Sequence, residues 1–261
     1  MLRQELRIII RGRNFWIATM VMFLCFCGFS VPYWVAYDLP IAYMPSALHL
    51  SVGGIFFGGV MLLIPFCSAF VCVENQSDEV CTSFFQWTVF RCSCVKYSAC
   101  KLSAAMLGGA IAVMLAFAVH ALMWHFIALP YNPAEYPEHA FFSEGTLYYL
   151  WQQKQYAWPI YLSMSIGIGL SGGLWAIVGL TAAVWISDKI LAISIPVGLY
   201  YLWFKRVITI VFGIRLPSPD ALYNDALTPD IIVSSLLTHA VFFMIAVLLY
   251  WFGVKRRAQY E

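Results

Sequence analysis

The sequence ENQSDEVCTSFFQWTVFRCSCVKYSACK, residues 74–101, separates two apolar runs and decides how the chain is organised. Residues 51–73 precede it and residues 102–126 follow it, and neither run contains Asp, Glu, Lys or Arg. The segment itself contains the acids Glu74, Asp78 and Glu79 and the bases Arg91, Lys96 and Lys101. Connections between helices are commonly about two to eight residues long, so this one is long enough to contain a structured element of its own.

The composition of the whole chain is that of a membrane protein. Of its 261 residues 62% are apolar and 11% are charged, whereas a soluble domain has about 25% charged residues. About 20 consecutive apolar residues span the hydrocarbon core as a helix. The sequence therefore predicts a single all-α integral membrane domain, residues 1–261, with six transmembrane helices near residues 15–35, 51–73, 102–126, 159–186, 190–204 and 231–252.

The distribution of Lys and Arg predicts the orientation. One face of a six-helix arrangement holds Arg3, Arg7, Arg11, Arg13, Arg91, Lys96, Lys101, Lys189, Lys255, Arg256 and Arg257, and the other holds Lys154, Lys205, Arg206 and Arg215. Basic residues are enriched on the cytoplasmic side of membrane proteins. Both termini are therefore expected in the cytoplasm, together with Asn75 and Asp188, while Glu144 is expected outside. No basic tract is long enough to predict nucleic-acid binding.

Three flanking segments have recognisable patterns. Residues 1–14 have apolar positions at helical spacing with arginines between them, which predicts an interfacial helix on anionic headgroups, or else a plain basic flank to the first span. Residues 128–158 form a long outer-face loop rich in aromatics, which favours an interface belt over a ligand site. Residues 205–230 form the last outer-face segment, and their apolar part, 207–214, is too short to span and predicts a re-entrant segment.

Two Gly-xxx-Gly steps lie inside predicted spans, Gly54/Gly58 and Gly169/Gly173. Small residues at this spacing allow helices to approach closely, so helix packing is the favoured interpretation and the lining of a narrow passage is the alternative.

Signatures of catalysis and of cofactor binding are missing from the sequence. It contains neither a GxxxxGK[ST] nucleotide loop nor an HExxH zinc motif. Cys25-x-Cys27 and Cys92-x-Cys94 could hold a soft metal, but further ligands are not evident, so packing thiols are the favoured interpretation. Asp, Glu, Lys and Arg are also nearly absent from the predicted spans, although ion-coupled carriers use such residues. We therefore expect no enzyme activity, no metal and no cofactor in this chain, and energy supplied by another protein.

The chain resembles a permease subunit of the ABC-2 type, the membrane half of many bacterial ATP-driven exporters. The resemblance rests on the basic N-terminal segment, on Glu74 after the second span, and on the pattern Arg91-Cys92-Ser93-x-x-Lys96-Tyr97-x-x-x-Lys101 before the third. The six-span layout, the long connection between spans two and three and the segment before the last span extend it over the whole chain. The Gly-Thr step common in the family is not present, although Thr82-Ser83 lies nearby, and the frequent Pro before the turn is absent.

The resemblance implies a bacterial plasma-membrane transporter with two permease subunits, the second the same chain or a related one, and two separate ATPase subunits that bind ATP and Mg²⁺. It also implies that residues 80–90 form a coupling helix. The ATPase-coupling residues would be Glu74, Asp78, Glu79, Phe84, Phe85, Trp87, Phe90, Arg91, Lys96 and Lys101, with the aromatics inserted into a groove of the ATPase. Alternatively, the aromatics anchor an interfacial helix in lipid.

Other classes of protein stay open at this point. A stand-alone carrier or channel needs no ATPase, and the substrate-capturing subunit of a vitamin importer uses an ATPase but lacks the long connection at residues 74–101. A membrane enzyme is the remaining class. For the permease, the acidic and aromatic outer face is compatible with an amphipathic peptide, drug or lipid as the exported substrate.

Overall fold

The computed structural model describes residues 1–35, 46–56, 60–80, 82, 84–128, 142, 144–204, 213 and 228–260. Within these ranges the chain is helical and contains no strand. The helices are α1 (Leu2–Arg11), α2 (Arg13–Val35), α3 (Ala47–Phe56), α4 (Val60–Val80), α5 (Phe84–Cys92), α6 (Cys94–Ile127), α7 (Leu147–Gln153), α8 (Ala157–Trp185), α9 (Lys189–Phe204) and α10 (Pro229–Tyr260). The prediction of an all-α fold is confirmed for the described residues.

Four described helices, α2, α6, α8 and α10, are long and apolar enough to cross a membrane. They correspond to the first, third, fourth and sixth predicted spans. The longest, α6, has 34 residues, which at 1.5 Å per residue gives about 51 Å. This exceeds the hydrocarbon thickness of about 30 Å, so one or both ends of α6 project beyond the apolar core.

The second and fifth predicted spans have a different structure. The second corresponds to two helices, α3 and α4, on either side of residues 57–59, which lie outside the described residues. The fifth corresponds to α9, which has 16 residues and is about 24 Å long. Also outside the described residues are the predicted re-entrant segment at 207–214, apart from Gly213, together with Gly58 and residues 129–141 and 143 of the loop at 128–158.

The centre of the bundle is α8. It packs against α4, α6, α7, α9 and α10, and 89% of its most apolar stretch is buried, against 33% for α2 and 22% for α10. An apolar helix with few exposed side chains belongs in the interior, whereas α2 and α10 turn apolar faces outward, as expected of helices in contact with lipid. The core of the protein therefore lies around α8.

Small residues allow α8 to approach its neighbours closely. A Cβ atom added to Gly109 of α6 would lie 2.5 Å from Ala176 Cβ and 3.0 Å from the Gly172 carbonyl oxygen of α8. A Cβ added to Gly179 would lie 2.6 Å from Ala69 Cβ of α4. Without such small residues the backbones of α4, α6 and α8 could not pack at this distance.

Most of the segment at residues 74–101 is helical, although it was predicted as a connection between two spans. Its first residues continue α4 to Val80, and its last eight form the first two turns of α6, which begins at Cys94. Only α5, residues 81–83 and Ser93 separate the two long helices. The short helix predicted at residues 80–90 is observed at Phe84–Cys92. The predicted start is early because Val80 is the last residue of α4, where the Thr82 amide and hydroxyl both donate to the Glu79 carbonyl.

Candidate functional site

Both ends of the chain and the connection between α4 and α6 meet at the same end of the bundle. Glu5 of α1 contacts Lys101 near the start of α6, and Tyr250 in the last third of α10 contacts Gln76 near the end of α4. At the same end the Arg257 Nε of α10 donates to the last turn of α8, at Val184. The basic residues of α1, α10 and the 74–101 segment therefore collect together at what we call the basic end.

A buried ionic network lies at the centre of the basic end. Lys101 is only 6% exposed, and its Nζ donates to Glu5 Oε2 at 2.7 Å and to Glu79 Oε1. A second oxygen of Glu79 accepts a hydrogen bond of 2.9 Å from the Tyr97 hydroxyl. One ammonium thus binds two carboxylates, one from α1 and one from α4.

The network extends through neutral side chains to α10. Gln76 Nε2 donates to the Tyr97 hydroxyl at 3.4 Å, and its Oε1 accepts from the Tyr250 hydroxyl at 3.3 Å. We use the term ionic network for Glu5, Gln76, Glu79, Tyr97, Lys101 and Tyr250. It joins α1, α4, α6 and α10, so the position of any one of these helices at the basic end depends on the others.

The energetics of this network are those of a buried ion pair. Burying charge is costly, and a buried pair adds little net stability, but removing one partner leaves an uncompensated charge and costs about 3–5 kcal/mol. Removal of the Lys101 charge should have the largest effect, because both Glu5 and Glu79 pair with it. The network therefore restricts the positions of α1, α4, α6 and α10 relative to one another at the basic end.

Two further acids of the segment fix the polar end of α4. Glu74 accepts a hydrogen bond from the Asn14 side-chain amide at the start of α2. Asp78 Oδ1 lies 2.5 Å from Lys189 Nζ at the start of α9, in a pair that is largely exposed. The end of α4 is thereby tied to α2 and α9 as well as to α1 and α6.

The helix α5 has exposed side chains, in contrast to the buried ionic network. Trp87 is 64% exposed, and Arg91 is also exposed, whereas Val89 on the opposite side is buried. The side-chain positions of Phe84, Phe85 and Phe90 lie outside what the structure describes. An exposed indole beside a cation on a short helix is the composition typical of a binding anchor.

The turn between α5 and α6 has an unusual backbone. Ser93 has φ 66° and ψ 148°, and its hydroxyl accepts from the Lys96 amide at 3.5 Å as the N-cap of α6. A positive φ is costly for a residue with a Cβ. Lys96 itself is exposed and lies in the first turn of α6.

The structure thus brings some of the predicted site residues together and separates others. Glu79 and Lys101 contact each other directly, Glu74 and Asp78 contact neighbouring helices, and Trp87, Arg91 and Lys96 lie on the surface. Sequence reasoning missed Glu5, Gln76 and Tyr250. Glu5 had a signal, since it is the one acid among the arginines of residues 1–14.

Two of the four predicted glycines, Gly169 and Gly173, lie at the interface of α6 and α8. A Cβ on Gly169 would lie 2.4 Å from Met114 Cγ, and one on Gly173 would lie 3.1 Å from the Met106 carbonyl oxygen. Gly54 belongs to α3, where the side-chain surroundings are not described. The packing interpretation remains a prediction for the pair Gly54/Gly58.

At the opposite end of the bundle, part of the segment at residues 128–158 packs into the core. Tyr148 of α7 is fully buried and contacts the Phe142 ring at a centroid distance of 5.0 Å. Tyr156 and Trp158 are more than half exposed, as expected of a belt. The loop therefore also contributes to the core, which its composition alone did not predict. Burial raises the pKa of the Tyr148 phenol.

His120 of α6 is buried as well, with Nε2 3.2 Å from Ser30 Oγ and Nδ1 3.6 Å from Cys27 Sγ of α2. Its side chain therefore faces α2. In the described part of the chain, no group of three or more His, Cys, Asp or Glu side chains could hold a metal ion.

In the described residues the chain is all-helical, with four helices long and apolar enough to cross a membrane and with a charged, internally bonded end. The chain matches no protein-family model, no curated protein and no solved structure.

Proposed function

We propose that the chain is the membrane-spanning permease subunit of an ATP-driven transporter of the ABC-2 type. In this proposal a separate ATPase subunit, present in two copies, hydrolyses ATP with Mg²⁺, and this chain is not itself an enzyme. A second permease subunit, identical or related, completes the transporter. The direction is export, and the substrate is an amphipathic peptide, drug or lipid.

The observation that carries the proposal is the placement of α5 at the basic end. It is a short helix between two long ones, it exposes Trp87 and Arg91, and it lies in the segment that also supplies Glu79 and Lys101 to the ionic network. A membrane protein that lacks its own nucleotide loop needs a surface through which a motor protein can act on its helices. An exposed aromatic on a helix held between α4 and α6 meets that need.

The ionic network supplies a route for the coupling. A displacement of α5 by a docked ATPase would act on the end of α4 and the start of α6, which contact it on either side. Because Lys101 bonds to both Glu79 and Glu5, that displacement would reach α1, and through Gln76 and Tyr250 it would reach α10. Interfaces of this kind switch between discrete arrangements more readily than they deform.

The proposal assigns six spans and an orientation. The spans are α2, the α3–α4 pair, α6, α8, α9 and α10, in the plasma membrane of a bacterium. The basic end faces the cytoplasm because it holds the arginines of α1 and the Lys and Arg residues near the end of α10. Both termini are then cytoplasmic, and α7 is outside.

The proposal is tested by affinity purification of the tagged full chain in mild detergent, with identification of the co-purifying proteins. The expected result is an ATPase that has a GxxxxGK[ST] phosphate-binding loop, in stoichiometric amount. Transport by the purified chain alone in proteoliposomes, without ATP and without any ATPase, would contradict the proposal and support a stand-alone carrier or channel. Recovery of a partner with a different energy source would contradict it as well.

A further inference from the structure

The charges at the basic end are segregated by sign. Each described acid there has a protein partner: Glu5 and Glu79 bond to Lys101, Glu74 accepts from Asn14, Asp78 pairs with Lys189, and Asp188 accepts from the Leu191 amide. Arg3, Arg7, Arg11 and Arg13 are exposed, and the structure records no ion pair for them among the described residues. The surface of this end is therefore strongly positive although the net charge of the chain is only +2.

Three of these arginines form a row on α1. Arg3, Arg7 and Arg11 are four residues apart, which places them on one face of the helix. Ile9 lies on the opposite face and is buried, with its Cγ2 only 2.6 Å from the position of a Cβ on Gly108 of α6. The contact of Ile9 with α6 therefore fixes the row in an outward direction.

The setting of the row matches the membrane interface. Leu2 and Ile8 of α1 are substantially exposed beside the arginines, as is Trp16 in the first turn of α2. At the same end, Lys255 lies 5.4 Å from the centroid of the Trp251 ring. Exposed apolar and aromatic side chains interleaved with cations are typical of a surface that contacts lipid headgroups and the start of the acyl chains.

We propose that the row of Arg3, Arg7 and Arg11 on α1 binds anionic phospholipid headgroups, and that bound lipid stabilises the contact of Glu5 with Lys101. The ligand is a lipid because phosphates match the guanidinium groups while Leu2 and Ile8 require an apolar neighbour. The proposal requires a membrane-spanning chain and does not rest on the proposed transport function.

The link to the ionic network follows from the position of Glu5 within the row. Glu5 lies between Arg3 and Arg7 in sequence but points to the bundle, where it accepts from Lys101 at 2.7 Å. A lipid that holds the arginine face orders the whole helix of ten residues and thus favours the docked state of Glu5. A ligand that binds only the docked state stabilises it by mass action.

The test uses the purified full chain in a neutral detergent, titrated with phosphatidylglycerol, phosphatidylcholine, inorganic phosphate or polyglutamate. The readouts are the unfolding temperature and the hydrogen exchange of the α1 amides. Phosphatidylglycerol alone is expected to raise both the unfolding temperature and the protection of α1. Each basic residue near an anionic surface changes the affinity about fivefold, so Arg7→Gln/Arg11→Gln should weaken the lipid response roughly 25-fold.

Two matched variants complete the test. Arg7→Lys/Arg11→Lys keeps the charge and should keep most of the response. Arg91→Gln/Lys96→Gln removes the same charge from exposed positions outside α1 and should leave the midpoint of the titration nearly unchanged.

Three results would overturn the proposal. The first is an equal loss in the Arg91/Lys96 variant, which would indicate a diffuse field without a site on α1. The second is an equal response to phosphate or polyglutamate, which would assign the row to a soluble anion. The third is an unchanged response in Arg7→Gln/Arg11→Gln.

Discussion

The Lys101 ammonium lies 2.7 Å from the Glu5 carboxylate, although 96 residues separate the two in sequence. This contact attaches the N-terminal helix to the start of α6, at a position where Glu79 also bonds to the same ammonium. It makes the first helix of the chain a structural part of the connection that we propose to receive the ATPase.

Removal of the Lys101 charge should destabilise the protein strongly. Lys101→Met leaves Glu5 and Glu79 without a cation in a buried setting, and the expected loss is about 3–5 kcal/mol of the free energy of unfolding. Unfolding of the purified protein in mixed micelles would measure it. The matched control is Lys189→Met, which breaks a pair that is about half exposed and should cost at most about 1 kcal/mol.

A triple variant separates loss of charge from loss of packing. Lys101→Met/Glu5→Gln/Glu79→Gln removes the unpaired carboxylates that make the single variant unstable. It should therefore recover most of the lost stability, since replacing all partners of a buried charge cluster is far less costly than removing one. A triple variant as unstable as Lys101→Met would show that the network stabilises through packing and not through charge.

The positive φ of Ser93 predicts that glycine is tolerated at this position and that a β-branched residue is not. At φ 66° glycine is favoured, and a β-branched residue is strained by about 1–3 kcal/mol. Ser93→Gly should be neutral or stabilising, because glycine relieves the cost of the positive φ while the lost N-cap costs only a few tenths of a kcal/mol. Ser93→Val should lower the unfolding temperature clearly, and equal stability of the two variants would contradict the assigned turn.

Close packing around α8 predicts opposite effects for two Gly→Ala changes. Gly109→Ala places a Cβ 2.5 Å from Ala176 Cβ, and such overpacking costs about 1–3 kcal/mol. Gly198→Ala in α9 meets no described atom within 4 Å, and should be neutral or stabilising by up to about 1 kcal/mol through helix propensity. Thermal unfolding of the two variants in one detergent checks the order, which a reversed result would refute.

The sequence predicted the helical class and six spans, four of which are long apolar helices among the described residues, because uninterrupted apolar runs are local signals. It did not predict that α4 continues through Glu79, since the polar residues after Val73 resemble a loop when helix neighbours are unknown. The partners of Lys101 were not predictable either. Glu5 and Glu79 reach it from two other helices, and only the packing of α1 and α4 on α6 determines that contact.

The glycines show the same limit. The Gly169/Gly173 step is visible as a spacing, but the close approach of Gly109 to Gly172 depends on how α6 and α8 cross. Gly109 belongs to no Gly-xxx-Gly step, so the sequence does not single it out. Its close contact is with the backbone of a different helix, which the sequence pattern of α6 does not show.

The central claim is that α5 docks an ATPase, and Trp87→Ala tests it most directly through the amount of ATPase that co-purifies with the tagged chain. Truncation of an aromatic anchor costs about 2 kcal/mol or more, roughly a 30-fold loss of affinity. The control is Trp158→Ala, which removes an equally large and exposed indole at the other end of the bundle. The account predicts normal membrane insertion of both variants, with the ATPase lost only from Trp87→Ala. Full retention of the ATPase by Trp87→Ala would contradict it and make α5 a lipid anchor.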